Sequence, residues 1–86
     1  MELEQLRLFI SAAEHRGFSP AARSLYTSHS TVSRAVSALE LEFGLPLFIR
    51  EHRLLTLTPA GERLLVDAKV LLQMAGETIE RVKGLR

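Results

Sequence analysis

Four helical stretches, with one pair of short extended pieces before the last, place this chain in the mainly α class. Three observations predict that architecture. Apolar residues recur at helical spacing in separate runs, cap-forming residues stand before the second, third and fourth runs, and glycines close the first and third. With 86 residues the chain suits one small domain with a modest core.

The first run is Leu6, Phe9, Ile10 and Ala13, spaced i, i+3, i+4, i+7 as one helical stripe. Gly17 is its expected stop, because glycine accepts the left-handed conformation that follows a helix end. Phe18-Ser19-Pro20 opens the second helix, with Ser19 expected to cap it and Pro20 tolerated in the first turn. Ala22 and Leu25 then face inward. Tyr26-Thr27-Ser28 reads as a turn, and Ser28 caps a third helix whose stripe is Val32, Val36, Leu39 and Phe43. Gly44 closes it. Two extended pieces follow, about Leu47–Arg50 and Leu54–Leu57, with Glu51-His52-Arg53 as a hairpin tip. A hairpin this small has no core of its own, so it must lean on the helices.

Thr58-Pro59 repeats the cap-then-proline signal, and the pattern from Pro59 to about Leu85 reads as one helix about 40 Å long. Leu65, Ala68, Leu72, Ala75, Ile79 and Val82 alternate steps of three and four, the heptad seam of a helix that pairs with another. Leu64 and Leu71 form a second stripe that could face the chain's own domain. The seam could also pack at home, but its length argues that at least the far half meets another chain. The expected organisation is a domain over residues 1–58 and a dimerisation helix over 59–86. The helical pattern still runs at Gly84-Leu85-Arg86, as in a chain cut from something longer.

Composition narrows the function. There is no cysteine, so neither a disulfide nor a thiolate metal site or nucleophile is available; this fits a cytoplasmic protein. No run approaches the roughly 20 apolar residues of a membrane span, and the start, MELEQLRLFI, carries acids where a secretion signal carries positive charge. His15, His29 and His52 are scattered without metal-ligand spacing, no serine has a base at an evident spacing, and no glycine-rich phosphate loop occurs. No enzyme, metal or cofactor is expected in this domain.

Net charge is only +1, but its distribution is informative. Residues 1–58 hold six arginines and six glutamates, yet no acid lies between His15 and Leu39, a window that carries Arg16, Arg23 and Arg34. A phosphate-facing surface needs such a window, because a carboxylate near phosphate cancels an arginine. Two short helices joined by a tight turn, the second capped, form a helix-turn-helix pattern. Opposite the core stripe of the third helix run Ser30, Ser33, Arg34 and Ser37 at i, i+3, i+4, i+7. Small hydroxyl side chains let a helix sink into a major groove, and one arginine can take guanine O6 and N7 together. The plain alternative is a solvated face, although such faces usually carry Glu and Lys. A protein-interaction module built on the seam is a further alternative, but it has no need of an acid-free window. His29 stands between base contact and simple exposure. Arg53 at the tip points to DNA backbone or minor groove, and Arg50 to DNA or to a pair with an acid.

The order of elements resembles the LysR-type transcriptional regulators. Phe18-Ser19-Pro20-Ala21-Ala22 resembles the family's F-[ST]-x-A-A, and Ser28 through Arg34 resembles S-Q-[PS]-[AT]-[LV]-S-[RK]. Leu39-Glu40 with Phe43-Gly44 resembles L-E-x-x-[LF]-G, Leu47 to Arg50 resembles L-F-x-R, and Leu57 to Gly61 resembles L-T-x-A-G. The resemblance implies a winged helix-turn-helix of three helices plus a two-stranded wing, followed by a long dimerisation helix. It implies sequence-specific binding to a double-stranded DNA operator, with the recognition helix, about 28–43, in the major groove and the wing tip, near 51–53, on the backbone or minor groove. The expected contact set is Ser28, His29, Ser30, Thr31, Ser33, Arg34 and Ser37, with Arg50 and Arg53 from the wing. The family also implies a homodimer, a tetramer at full length, and a small-molecule effector held only by a C-terminal domain absent from this chain. Two departures stand out. His29 replaces the usual glutamine, which can bond adenine bidentately. His52 replaces a frequent glycine, and Leu54 and Thr56 stand where wing charges are common.

Overall fold

A computed structural model describes all 86 residues. Helices α1 (Leu3–His15), α2 (Phe18–Ser24) and α3 (His29–Phe43) precede strands β1 (Phe48–Glu51) and β2 (Leu54–Leu57), and α4 (Pro59–Lys83) ends the chain. This is the winged helix-turn-helix with a long terminal helix.

Helix α1 lies at the centre and packs against α2, α3 and α4. Its buried face is therefore wider than one stripe: Leu6, Leu8, Phe9, Ser11 and Ala12 are buried, while Ile10 and Ala13 are half-buried. Ser11 is accommodated because its hydroxyl donates to the Ala21 carbonyl at 3.4 Å. Around α1 gather Ala21 and Ala22 of α2, Val32, Ala35, Val36 and Leu39 of α3, and Leu64 and Ala68 of α4. Phe43 departs from expectation: it is 39% exposed, on the rim of an open apolar groove shared with Leu45 and Leu47.

The α1–α2 junction is tighter than its sequence suggests. Arg16, not Gly17, takes the left-handed conformation (φ 55°), and Gly17 is extended and serves as the N-cap of α2. Ser19 therefore sits inside the first turn and is not the cap. A Cβ on Gly17 would lie 3.1 Å from the Pro20 ring, so the short junction favours glycine. The next turn behaves as expected: Tyr26 has φ 55°, and the Ser28 hydroxyl accepts from the Thr31 N–H at 3.1 Å to start α3. Gly44 ends α3 in the left-handed region (φ 68°).

The wing is an antiparallel pair with Phe48 opposite Leu57 and Arg50 opposite Leu55. Its tip is a two-residue turn, His52-Arg53, with φ 51° and 64°. Two positive φ values in succession are the requirement of the type I′ hairpin turn. Phe48 and Leu55 are buried, and the Phe48 ring meets Phe9 at 5.3 Å between centroids. Three tethers hold the wing to the rest of the chain and close its base. The Leu47 N–H donates to Glu40 Oε2 at 2.8 Å, the Leu55 N–H to the Arg16 carbonyl at 3.1 Å, and the Thr58 hydroxyl to the Pro46 carbonyl at 2.7 Å. Thr58 Oγ1 also accepts from the Gly61 N–H at 3.0 Å, capping α4 with Pro59 in its first turn. Gly61 is buried against the wing, where a Cβ would stand 2.1 Å from the Leu47 carbonyl oxygen.

Helix α4 begins on the domain and leaves it. Leu64 and Ala68 are buried, and Leu65 packs against the same core. This corrects the near half of the expected seam. Ala68 is wholly covered by its own chain and Leu65 partly so, because the first turns of α4 lie on α1. Leu72 and Ala75 are half-buried, and Ile79 and Val82 are 52% and 63% exposed. Leu71, expected to face home, is 40% exposed. The molecule measures 50 × 26 × 18 Å, long because α4 projects. No helix is long and apolar enough to cross a membrane.

Candidate nucleic-acid interface

The polar strip of α3 exists because the opposite face is spent on the core. Val32, Val36 and Leu39 are fully buried, which turns Ser30, Arg34 and Ser37 outward, all three exposed, with Ser33 half-buried beside them. Arg34 has no carboxylate within ion-pair distance, whereas Arg7, Arg50, Arg63 and Arg81 all do. Its guanidinium is therefore available for a partner outside the chain.

At the N-terminus of α3 the hydroxyls are clustered. Ser28 Oγ lies 3.3 Å from Ser30 Oγ and 2.8 Å from Thr31 Oγ1, in addition to its cap bond. Ser28 thus caps the helix, and both it and Ser30 remain exposed. Thr31 is half-buried against the cap. His29 is exposed, and its Nδ1 lies 2.9 Å from the Ser19 hydroxyl.

The two wing arginines separate. Arg53, at the tip, is exposed and forms no ion pair. Arg50 shares a wing face with buried Phe48 and Leu55, because alternate residues of a strand point the same way. Its guanidinium lies 5.2 Å from the centre of the Phe18 ring and 3.3 Å from Glu40 Oε1. Arg50 thus pairs with an acid, one of the two alternatives that its sequence left open.

Glu40 carries no functional mark in the sequence. Its carboxylate accepts from both the Leu47 N–H and Arg50, so it fixes the wing against the recognition helix. The pairing spans ten residues and crosses elements, so no local spacing announces it. Ser19 and Phe18 read in the sequence only as helix-start residues, yet both touch His29.

The chain's ion pairs use Glu4, Glu14, Glu40, Glu42, Asp67 and Glu77, and no ion pair involves Arg16, Arg23 or Arg34 of the acid-free window. No cluster of histidines and acids could hold a metal ion.

Comparison with known proteins agrees with this geometry. Residues 3–62 match the model of the bacterial regulatory helix-turn-helix proteins of the lysR family. The chain is 46% identical over 72 residues to the transcriptional activator IlvY of Salmonella typhimurium, covering 84% of this chain and 24% of IlvY. It is 42% identical over 84 residues to the transcriptional regulator TfdS of Cupriavidus pinatubonensis, covering 98% of this chain and 28% of TfdS. The chain thus spans about a quarter of the length of these relatives, which are regulators and not enzymes. Among solved structures, the DNA-binding domain of CbnR in complex with DNA superposes with a TM-score of 0.94 at 38% identity, covering 99% of this chain and 98% of that one. The BenM DNA-binding domain on benA site 1 DNA gives a TM-score of 0.94 at 31% identity, each chain covered in full. The chain belongs to the LysR family of bacterial helix-turn-helix regulators and comprises its winged helix-turn-helix DNA-binding domain with the long helix that follows.

Proposed function

We propose that this chain binds double-stranded operator DNA as a dimer in the cytoplasm, with α3 in the major groove and Arg53 at the backbone or minor groove. The observation that carries the reading is the outward strip of α3, which has small hydroxyl residues, one unpaired arginine and no acid. The complexes of similar domains with DNA support it. Arg34 is the residue that discriminates bases, while Ser30, Ser33 and Ser37 allow close approach and bond phosphate or base edges. Arg16, Arg23 and Arg53 form no ion pairs and add attraction to phosphate.

Residues 1–58 form the DNA-reading unit, and 59–86 join two of them. Within the expected seam, Leu72, Ala75, Ile79 and Val82 meet the partner, while Leu65 and Ala68 hold α4 to its own domain. One continuous apolar face thus serves the chain first and the dimer afterwards. Two linked domains reach two half-sites, and the second contact becomes nearly intramolecular. In a full-length protein this unit would serve an effector-binding domain and a tetramer. Fluorescence anisotropy with operator and random duplexes tests the reading. Arg34→Ala weakens operator binding by about 1–3 kcal/mol and random binding much less. Equal losses on both would reduce Arg34 to a phosphate contact, and no loss on either would remove α3 from the groove.

A further inference from the structure

The first residue of the recognition helix is held in a way that bears on what it can read. The His29 ring has two anchors. Nδ1 is 2.9 Å from the Ser19 hydroxyl, and the ring meets Phe18 edge-on, with centroids 5.5 Å apart and planes at 88°. Phe18 is itself fixed, at 87° to Phe48 and 6.3 Å away, with the Arg50 guanidinium over its face. Glu40 holds Arg50 in turn. An exposed histidine ordinarily samples several rotamers, whereas this one is braced by α2, whose Phe18 is in turn held by the wing. It stands at an open cleft of roughly 290 Å³ lined also by Phe18, Ser19, Arg50, Arg53 and Leu54.

We propose that Ser19 is a positioning residue that makes His29 a directed hydrogen-bond donor, so that the base under it is read as guanine. The inference rests on the DNA-binding reading above. A neutral imidazole carries one N–H and one bare nitrogen, and the bond made by one nitrogen sets what the other presents. Nδ1 is engaged by a hydroxyl that has no other hydrogen-bond partner in the chain and is free to donate to it. Nδ1 is then the acceptor, and Nε2–H, which has no partner in the chain, is the donor that faces outward. In the major groove guanine offers two adjacent acceptors, O6 and N7, to such a donor. Adenine sets its N6 amino group beside N7, thymine offers the single acceptor O4 beside its methyl group, and cytosine offers only a donor. A glutamine at this position could serve adenine bidentately, but a single fixed donor cannot. The histidine thus changes the base this position selects, and the change requires the hydroxyl of α2.

Two measurements on the intact chain test this. Ring-nitrogen NMR should find Nε2 protonated and Nδ1 bare in the free protein near neutral pH. Ser19→Ala should return the ring to a mixture of tautomers, and Ser19→Thr, which keeps the hydroxyl, should restore the single form. In parallel, bound sequences are selected from random duplexes by the natural protein and by His29→Ala, His29→Gln, Ser19→Ala and Ser19→Thr. The position at which His29→Ala loses preference identifies the base pair concerned. There the natural protein should select guanine and His29→Gln should shift toward adenine. Ser19→Ala should cut discrimination about fivefold to tenfold, the worth of one directed hydrogen bond, with other positions unchanged and Ser19→Thr near normal. Uniform weakening by Ser19→Ala on all sequences would make Ser19 a phosphate contact and overturn the proposal. So would an Nδ1-protonated ring, or unchanged preference in Ser19→Ala. If the natural protein selects no sequence at all, the DNA-reading assignment fails instead, and the NMR result stands separately.

Discussion

Substituting alanine for Gly61 probes the joint between α4 and the wing. Within an ordinary helix this change stabilises by about 1 kcal/mol, because glycine loses the most backbone freedom on folding. Here the new Cβ would lie 2.1 Å from the Leu47 carbonyl oxygen, 2.9 Å from Leu57 Cδ2 and 3.1 Å from the Leu47 carbonyl carbon. The first distance is about 1 Å short of the closest approach that real Cβ atoms show. The obstacle is backbone held from both sides: Leu47 N–H is bound by Glu40, and its carbonyl accepts from the Thr58 N–H at 3.0 Å. Neither can move without breaking a bond that organises the wing. Overpacking costs about 1–3 kcal/mol when neighbours can relax, and backbone obstacles lie at the upper end. After the helix gain is subtracted, the net loss is about 2 kcal/mol. For a domain of this size that lowers the unfolding midpoint by roughly 8–16 °C. Circular dichroism melts of the natural protein, Gly61→Ala and Gly76→Ala measure it. Gly76 has open space around it and should gain up to about 1 kcal/mol. An unchanged or raised midpoint for Gly61→Ala would refute the close approach.

Other outcomes follow from the same geometry. Glu40→Ala should cost about 1–3 kcal/mol in denaturant unfolding, because the Leu47 N–H loses its acceptor; Glu40→Gln, which keeps an acceptor oxygen, should lose less. Arg53→Gly should raise stability by about 0.5–1 kcal/mol by relieving a positive φ. It should also make the salt dependence of DNA binding shallower by roughly one unit for each phosphate the arginine no longer neutralises; parallel salt titrations would place the tip off the DNA. Ile79→Glu should give a monomer in sedimentation, with operator affinity collapsing and the helical spectrum retained, since a charge would enter the proposed dimer seam. A dimer that persists would move the pairing surface elsewhere on α4.

Local signals were legible where a residue's role depends on its near neighbours. Ser28, Gly44 and Thr58-Pro59 mark helix ends through bonds to atoms a few residues away, and all three stand where their chemistry predicts. The hairpin was legible too, although the tip narrows from three residues to His52-Arg53. What depends on distant neighbours was not. Ser19 looks like a cap because serine before proline usually is one, but a junction of only two residues, Arg16 and Gly17, leaves Gly17 that role. Leu8 and Ala12 fall outside a single stripe because α1 is covered on more than one side. Ala68 has the spacing of a seam residue and the burial of a core residue, since the same helical face continues from one environment into the other. The outward strip of α3 was readable as a strip because its hydroxyl and arginine periodicity is local, whereas the contacts of Arg50, Glu40 and Ser19 run across α2, α3 and the wing.

Whether the outward strip of α3 reads base sequence for a paired molecule is tested most directly by sequencing the genomic fragments retained by the natural protein and by Arg34→Ala. The natural protein should yield an enriched interrupted palindrome. Arg34→Ala should retain the half-site spacing but lose preference at one or two base pairs, in both half-sites. No enriched sequence, or an identical motif from both proteins, would contradict it.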